Sequence, residues 1–413
     1  MSKVAVKGFS CNALHVGLKK KHLDLALIAA EEPVPCAGLF TQSRVVAAPV
    51  IVSQEHCGSG YAQAFIINAG NANACTGEQG LADAREICAT AAGALGCKDT
   101  DVLCASTGVI GVPLLADKIV GNIEDLASGL AGDDDHVGLV SQAIMTTDTC
   151  SKITTASFEY DGTTYSITGI AKGSGMIAPN MATMIGALLT DAPISPAVCD
   201  SLLRSVAAHT FNAVTVDGDT STNDTLVLMA SGAAGGEMID AKSHPAFELA
   251  LVALFEVCEK LAMMIAADGE GATKMVDVVV TGASSSADAE QMARTIAESP
   301  LVKTALFGND ANWGRVAGAA GRSGVAFNPG LLGITFAGIQ VCANGEALVF
   351  DEDEALKALS APHVSIHVDL GQSSQTQLDY ESTFTAHPNE GSARIMTCDL
   401  SYDYVRINGE YRS

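Results

Sequence analysis

Lys172-Gly-Ser-Gly-Met-Ile-Ala-Pro-Asn-Met-Ala-Thr-Met-Ile-Gly-Ala-Leu-Leu-Thr-Asp191 joins two kinds of sequence that seldom share a segment. Its first half is built from Gly, Ser, Pro and Asn, the residues of tight turns. Its second half, Met184 to Leu189, is apolar and reads as a buried strand or a helix start. Thr183 stands at the junction, with the small Ala182 before it. A hydroxyl there is placed to attack the Ala182 carbonyl and cut the chain. The cut would free the Thr183 α-amine, whose ordinary pKa of about 8 leaves a fraction unprotonated near neutrality. That amine could then act as base for the neighbouring hydroxyl. The plainer reading is an ordinary strand Thr after a loop, and composition alone favours it.

Length and composition bound the rest. A chain of 413 residues can hold two or three domains of roughly 150 residues each. With 48% hydrophobic and 17% charged residues it reads as compact, not disordered. A net charge of −24 argues against a nucleic-acid partner, because phosphate binding needs clustered Lys and Arg. Acidic runs such as Asp351–Glu354 read as solvated loops. The twelve cysteines form no CxxC pair, which points to reduced, buried thiols and away from zinc. The amino end lacks a secretory apolar core, and no apolar run reaches the roughly 18 residues of a membrane span. The expected location is cytoplasmic, or an organelle matrix if a transit peptide was removed.

Further motifs lie on either side. Leu23–Ala30, Cys36–Thr41 and Ala48–Val52 read as strands, with a Pro-bounded turn after the first. The strand Ala64–Asn68 runs into the Asn- and Gly-rich turn Asn68–Gly77, which lacks dinucleotide-binding spacing. It is either a structural loop or part of a site. Helices are expected over 78–95 and 113–130. Between them Val102–Gly108 is a strand ending in Thr107-Gly108, a hydroxyl beside an unhindered N–H, the donor pair an oxyanion needs. Such a pair is usually only a turn. Met145-Thr146-Thr147-Asp148 could be strand surface or a contact strip. A hairpin is expected at Asp161-Gly162, and a helix from Ser195-Pro196 to about His209. Val214–Asp224 is a polar loop without calcium-loop spacing, read as a turn network near the site. A helix ending near Ala267 leads to Asp268–Lys274, whose Glu270 is flanked by glycines and accessible to an amine. Strands are expected over 274–280, 332–342, 363–370 and 393–405, and a helix over 286–299. His363 and His367 share a strand face, more often surface than metal ligand.

Taken together, Lys172–Met184 resembles the autoprocessing motif of the ornithine acetyltransferase (ArgJ) family. The stretches around Thr107, Thr146–Thr149, Asp268–Lys274, Phe307–Arg315 and Tyr404–Ser413 resemble it too, so the likeness covers essentially the whole chain. The resemblance implies an α/β fold with sheets sandwiched between helices, of the autoprocessed amino-terminal-nucleophile type (DmpA/ArgJ-like). It implies cleavage between Ala182 and Thr183 into fragments 1–182 and 183–413, with Thr183 as nucleophile. Thr107 and Gly108 become the oxyanion hole, and Thr146, Thr147, Lys172, Thr183, Glu270, Asn408 and Ser413 the substrate contacts. The implied reaction moves acetyl from N-acetylornithine to glutamate in arginine biosynthesis by a ping-pong route, with no metal or organic cofactor. Acetyl-CoA is a second donor if the enzyme is bifunctional. The two fragments would stay associated, as a heterotetramer or larger assembly. Competing readings are an amino-terminal-nucleophile hydrolase or aminopeptidase, and a non-catalytic scaffold that stays uncut.

Overall fold

The computed structural model describes residues 3–178, 184–371, 385–386 and 388–410. Among them the chain divides into two compact units, one of residues 1–212 and 220–261, the other of residues 213–219 and 262–413.

In the first unit eight strands form one mixed sheet. They are β1 (Phe9–Leu14), β2 (Leu25–Phe40), β3 (Tyr61–Asn71), β4 (Val102–Val109), β5 (Lys152–Tyr160), β6 (Thr163–Lys172), β7 (Ile185–Thr190) and β8 (Thr225–Ala230). The order is β4-β3-β2-β8-β7-β6-β5, with β1 also paired to β2. The two expected strands 23–30 and 36–41 are therefore one 16-residue strand. The Pro-bounded turn is instead a register shift between Ala29 and Val34. Its exposed Glu31, Glu32 and Pro33 fall where a missing N–H leaves no gap in the ladder. Before the shift β2 pairs with β1 and β3; after it β2 keeps β3 only at Val34 and Pro35 and then pairs with β8 from Cys36 to Phe40.

Side chains alternate across these strands, and both faces are buried. Leu25, Leu27, Ile66, Val102 and Cys104 join a core with the helices Gly77–Leu95, Ala116–Val120 and Ile123–Ser128. On the other face Ala26, Ile28, Phe65, Ile67 and Leu103 meet Ile170, Ile185, Leu189 and Met229 from the far half of the same sheet. The sheet thus folds over at the β2 shift, and its two halves share one core. Helix Pro196–His209 covers β2 from outside, and Leu261 of helix Ala246–Ala267 lies against Gly169 of β6. Sheets sandwiched between helices are the architecture found. Burial on both faces explains why these strands read as nearly unbroken apolar runs.

The second unit holds a six-stranded mixed sheet. Its strands are β9 (Met275–Thr281), β10 (Gly333–Phe336), β11 (Ile339–Ala343), β12 (Glu346–Ala347), β13 (His363–Asp369) and β14 (Ala393–Cys398), in the order β12-β11-β10-β13-β9-β14. Helix Ser286–Ala297 packs on β9 and β14.

Three local expectations are corrected. Ala48–Val52 is the start of a helix, Ala48–Cys57. Its β-branched run suggested a strand, but Pro49 sits in the first helical turn, where no N–H is needed. The 113–130 helix is two short helices, Ala116–Val120 and Ile123–Ser128, parted at Gly121-Asn122. The 393–405 strand stops at Cys398, because Ser401 Oγ accepts from the Asp403 N–H and caps a helix, Tyr402–Gly409.

Candidate functional site

In the first unit β3 and β4 run parallel, and their ends carry the Asn-rich turn and the Thr107-Gly108 pair side by side. Gly70 is opposite Gly108. Gly108 has φ 131°, and a Cβ there would lie 2.4 Å from the Gly70 carbonyl carbon and 2.6 Å from the Asn71 nitrogen. Only glycine fits, so the sequence fixes the direction of the backbone just after Thr107.

The Asn-rich turn is a hydrogen-bonded frame. Asn68 Oδ1 accepts from Ser106 Oγ at 2.6 Å, and Asn68 Nδ2 donates to the Asn71 carbonyl at 2.9 Å. Asn223 Nδ2 donates to the carbonyls of Ala72 and Ser106, at 2.5 and 2.8 Å. The 220–224 part of the polar loop therefore anchors the turn and the strand that ends in Thr107.

Lys172 closes β6, where it pairs with Ile185 at the start of β7. Its ammonium is buried and donates to Thr107 Oγ1 at 3.3 Å. Asp148 is buried beside it. One of its oxygens accepts from Lys152 Nζ and from the Gly173 N–H, both at 2.7 Å, and the other accepts from the Thr146 N–H at 3.0 Å. Burial pushes the Asp148 carboxyl up, but Lys172 and Lys152 outweigh it and hold the group down to about 2. The 146–148 strip and Lys172-Gly173 are thereby tied together. Thr147 is half-buried in that strip.

Sequence reading missed one carboxylate and one lysine beneath this site. Asp24, fully buried, accepts from the N–H groups of Val16, Gly17, Leu18 and Lys19. Lys19 Nζ donates to the carbonyls of Leu23 and Ala143, both at 2.8 Å, and burial lowers it to about 8. The available signal was one carboxylate, Asp24, inside an otherwise apolar strand. Ala182 and Thr183 lie outside the described residues, as does Ser413. Met184 is the first described residue after them, and its carbonyl accepts from the Thr225 N–H at 2.9 Å.

In the second unit Glu270 is buried and its Oε2 accepts from Asn408 Nδ2 at 2.7 Å. The tail helix Tyr402–Gly409 docks on the 268–274 loop. Ser401 Oγ donates to the Gly271 carbonyl at 2.5 Å, and Asp399 accepts from the N–H of Thr273 at 2.8 Å. Gly271 has φ 70°, and a Cβ there would meet the Tyr404 nitrogen at 2.5 Å. Burial, with the fields of Asp217, Glu270 and Asp219, raises the Tyr404 hydroxyl to about 12. On β13, His363 bonds Asp277 at 2.6 Å and His367 bonds Thr281 at 2.8 Å. Among the described residues no three His, Cys, Asp or Glu side chains form a metal-type cluster. None of the described helices is long and apolar enough to cross a membrane.

The ArgJ family model matches residues 10–413. The chain belongs to the ArgJ family. It is 44% identical to the arginine biosynthesis bifunctional protein ArgJ of Geobacter sulfurreducens, over 99% of this chain and 100% of that one. The protein of the same name from Caldanaerobacter subterraneus is 43% identical, over 98% and 97%. Among solved structures, the ArgJ of Bacillus halodurans is 41% identical over 54% of this chain and 97% of that one, with a TM-score of 0.49. The ornithine acetyltransferase of Mycobacterium tuberculosis, complexed with ornithine, is 34% identical over 43% and 95%, with a TM-score of 0.40.

Proposed function

We propose that this ArgJ-family chain, an acyltransferase of arginine biosynthesis, moves an acetyl group from N-acetylornithine to glutamate through an acetyl ester on Thr183. The chain first cuts itself between Ala182 and Thr183. The new α-amine takes the hydroxyl proton, and Thr183 Oγ attacks the acetyl carbonyl. The Thr107 hydroxyl and the Gly108 N–H bind the oxyanion, a service worth about 100- to 1000-fold in rate per donor. Ornithine departs, glutamate takes the acetyl group, and N-acetylglutamate leaves. Lys172, Thr146, Thr147, Asn408 and Ser413 contact substrate, with Glu270 on an amine. The acetyl group rides on Thr183, so no metal or organic cofactor is required.

One observation carries this reading. The Lys172 ammonium bonds Thr107 Oγ1 in a buried setting, and Lys172 pairs with Ile185, two residues downstream of Thr183. That brings a positive charge and a hydroxyl to the strand start that Thr183 precedes. On a denaturing gel, freshly purified protein should run as two fragments and not as one 42.3 kDa band. Mass spectrometry after mixing with N-acetylornithine should find the acetyl group on the fragment that begins with Thr183. An unmodified fragment would refute the mechanism. Acetate released without glutamate would instead favour a hydrolase.

The relatives' name, bifunctional, supports a second activity: acetyl transfer from acetyl-CoA to glutamate. An assay with those two substrates alone decides it.

A further inference from the structure

Two thiols that the acetyl transfer leaves unused meet beside β2. Cys36 lies in β2, opposite Met229 of β8, and Cys57 ends the helix Ala48–Cys57. Their sulfurs are 3.8 Å apart. A disulfide is about 2.0 Å long, so about 1.8 Å of approach turns this contact into a bond. Gly38 keeps the corner open, since a Cβ there would stand 3.2 Å from Cys57 Sγ.

The two thiols differ in access. Cys36 is 2% exposed, whereas Cys57 is only half-buried. The hydrogen bond from Cys36 lowers the Cys57 thiol below its ordinary value, outweighing burial and the charge of Asp200, and the Gly38 N–H adds to the effect. Cys36 is raised by the same bond and by burial, so it keeps its proton. The thiolate is the reactive form. The reactive sulfur is therefore the one that solvent reaches, with a second thiol in contact behind it, the arrangement of a redox-responsive pair. The other thiol contact differs. Cys88 meets Cys104 with both buried, at 0% and 4% exposure, and that bond and burial raise Cys88. Cys199, on helix Pro196–His209, is buried too, and burial pushes it up to about 12.

We infer that Cys36 and Cys57 are a modification site, a dithiol that a hydroperoxide oxidises to a disulfide and a small thiol reductant reopens. The Cys57 thiolate attacks one peroxide oxygen. The O–O bond breaks, a sulfenic acid forms, and the departing hydroxide takes up the proton that Cys57 gave away. The Cys36 sulfur then attacks Cys57 Sγ. The S–O bond breaks, the S–S bond forms, and the hydroxide leaves as water with the Cys36 proton. Two thiols lose two electrons in all, and the peroxide gains them. The new bond fastens the end of helix Ala48–Cys57 to β2. Ser53 of that helix holds β4, its Oγ donating to the Cys104 carbonyl at 2.6 Å and accepting from the Cys104 N–H at 2.8 Å. Closure thus pins the helix that supports the strand ending in Thr107. Both cysteines precede residue 182, so the inference stands apart from the proposed cut.

The test uses the purified protein and hydrogen peroxide. Peroxide is added in steps, remaining thiols are alkylated with iodoacetamide, and intact mass and peptide mapping follow. The chain, or its 1–182 fragment, should lose the mass of two hydrogens. A peptide should join Cys36 to Cys57, and dithiothreitol should reverse both changes. In Cys36→Ser the sulfenic acid has no partner thiol, so dimedone should be captured on Cys57. Free Cys36 and Cys57 after the exposed Cys75 and Cys150 have been oxidised overturn the inference. So does a Cys88–Cys104 disulfide that closes while the Cys36–Cys57 pair stays open. Should Cys36→Ser fail to fold, the wild-type map decides by itself.

Discussion

Replacing Asp148 by Asn should unfold the first unit more readily than any surface change. Both side chains of the Asp148–Lys152 pair are 0% exposed and their charged atoms are 2.7 Å apart. The amide of Asn removes the negative charge 2.7 Å from the buried Lys152 ammonium. It also turns an NH2 toward either the Gly173 or the Thr146 N–H, which the carboxylate satisfied together. The depression of Asp148 from 3.8 to about 2 corresponds to about 2 kcal/mol favouring its charged form. Removing one partner of a buried pair costs about 3–5 kcal/mol, because the other is stranded. The larger range is expected, or a melting point lower by about 6–20 °C. Melting is best followed on the Thr183→Ala background, so that one covalent chain unfolds. The pH dependence has a definite sign. The folded-state pKa is lowered, so the stabilisation is present above the unfolded value of about 4 and is lost as pH falls through about 2. The gap between parent and variant should therefore close over that acid range. Adding Lys152→Met should recover part of the loss, since no ammonium is then buried beside a neutral side chain. A variant melting within about 2 °C of its parent near neutral pH, a shift worth under 1 kcal/mol, would refute the argument.

Gly108→Ala should abolish acetyl transfer. Its Cβ would enter the Gly70–Asn71 backbone at 2.4–2.6 Å, displacing the N–H proposed to bind the oxyanion. A kcat loss of about 100-fold or more is expected by steady-state assay, alongside a lower melting point. Glu270→Gln keeps the shape and can still meet Asn408 but removes the charge. A charge-assisted bond is worth about 1.5–3 kcal/mol, so KM for N-acetylornithine should rise about 10- to 100-fold, with cutting at Thr183 unaffected. An unchanged KM would remove Glu270 from the substrate.

Much of the architecture could be read from sequence where one signal dominated. Asp161-Gly162 adopts the positive φ values, 49° and 73°, of the expected hairpin turn. Helix Pro196–His209 begins at the Pro that its cap predicted. The failures share a cause. Propensity reads each window alone, so Ala48–Val52 looked extended, whereas helix packing beside β4 decides it. The long β2 looked like two strands because a Pro within a bulge resembles a Pro in a turn. Thr107, Gly108 and Lys172 stood out as motif residues, and the structure sets the Lys172 ammonium against Thr107 Oγ1. The buried Lys19 and Asp24 did not, because a loop folds four N–H groups onto Asp24 and Lys19 reaches the Ala143 carbonyl, 124 residues away.

The overlapped sheet has a consequence for any chain cut at residue 182. Every strand from β1 to β6 would fall in one piece, and β7 and β8 in the other. The β6–β7 ladder, from Ile167 opposite Thr190 to Lys172 opposite Ile185, crosses the break. So does the β2–β8 ladder, from Cys36 opposite Met229 to Phe40 opposite Thr225. A nick would make two new ends without making two separable bodies, since parting them means unzipping two seams that line a common apolar interior. Dilution alone would not drive that parting, and the nicked and continuous forms should be indistinguishable in size until a denaturant is added.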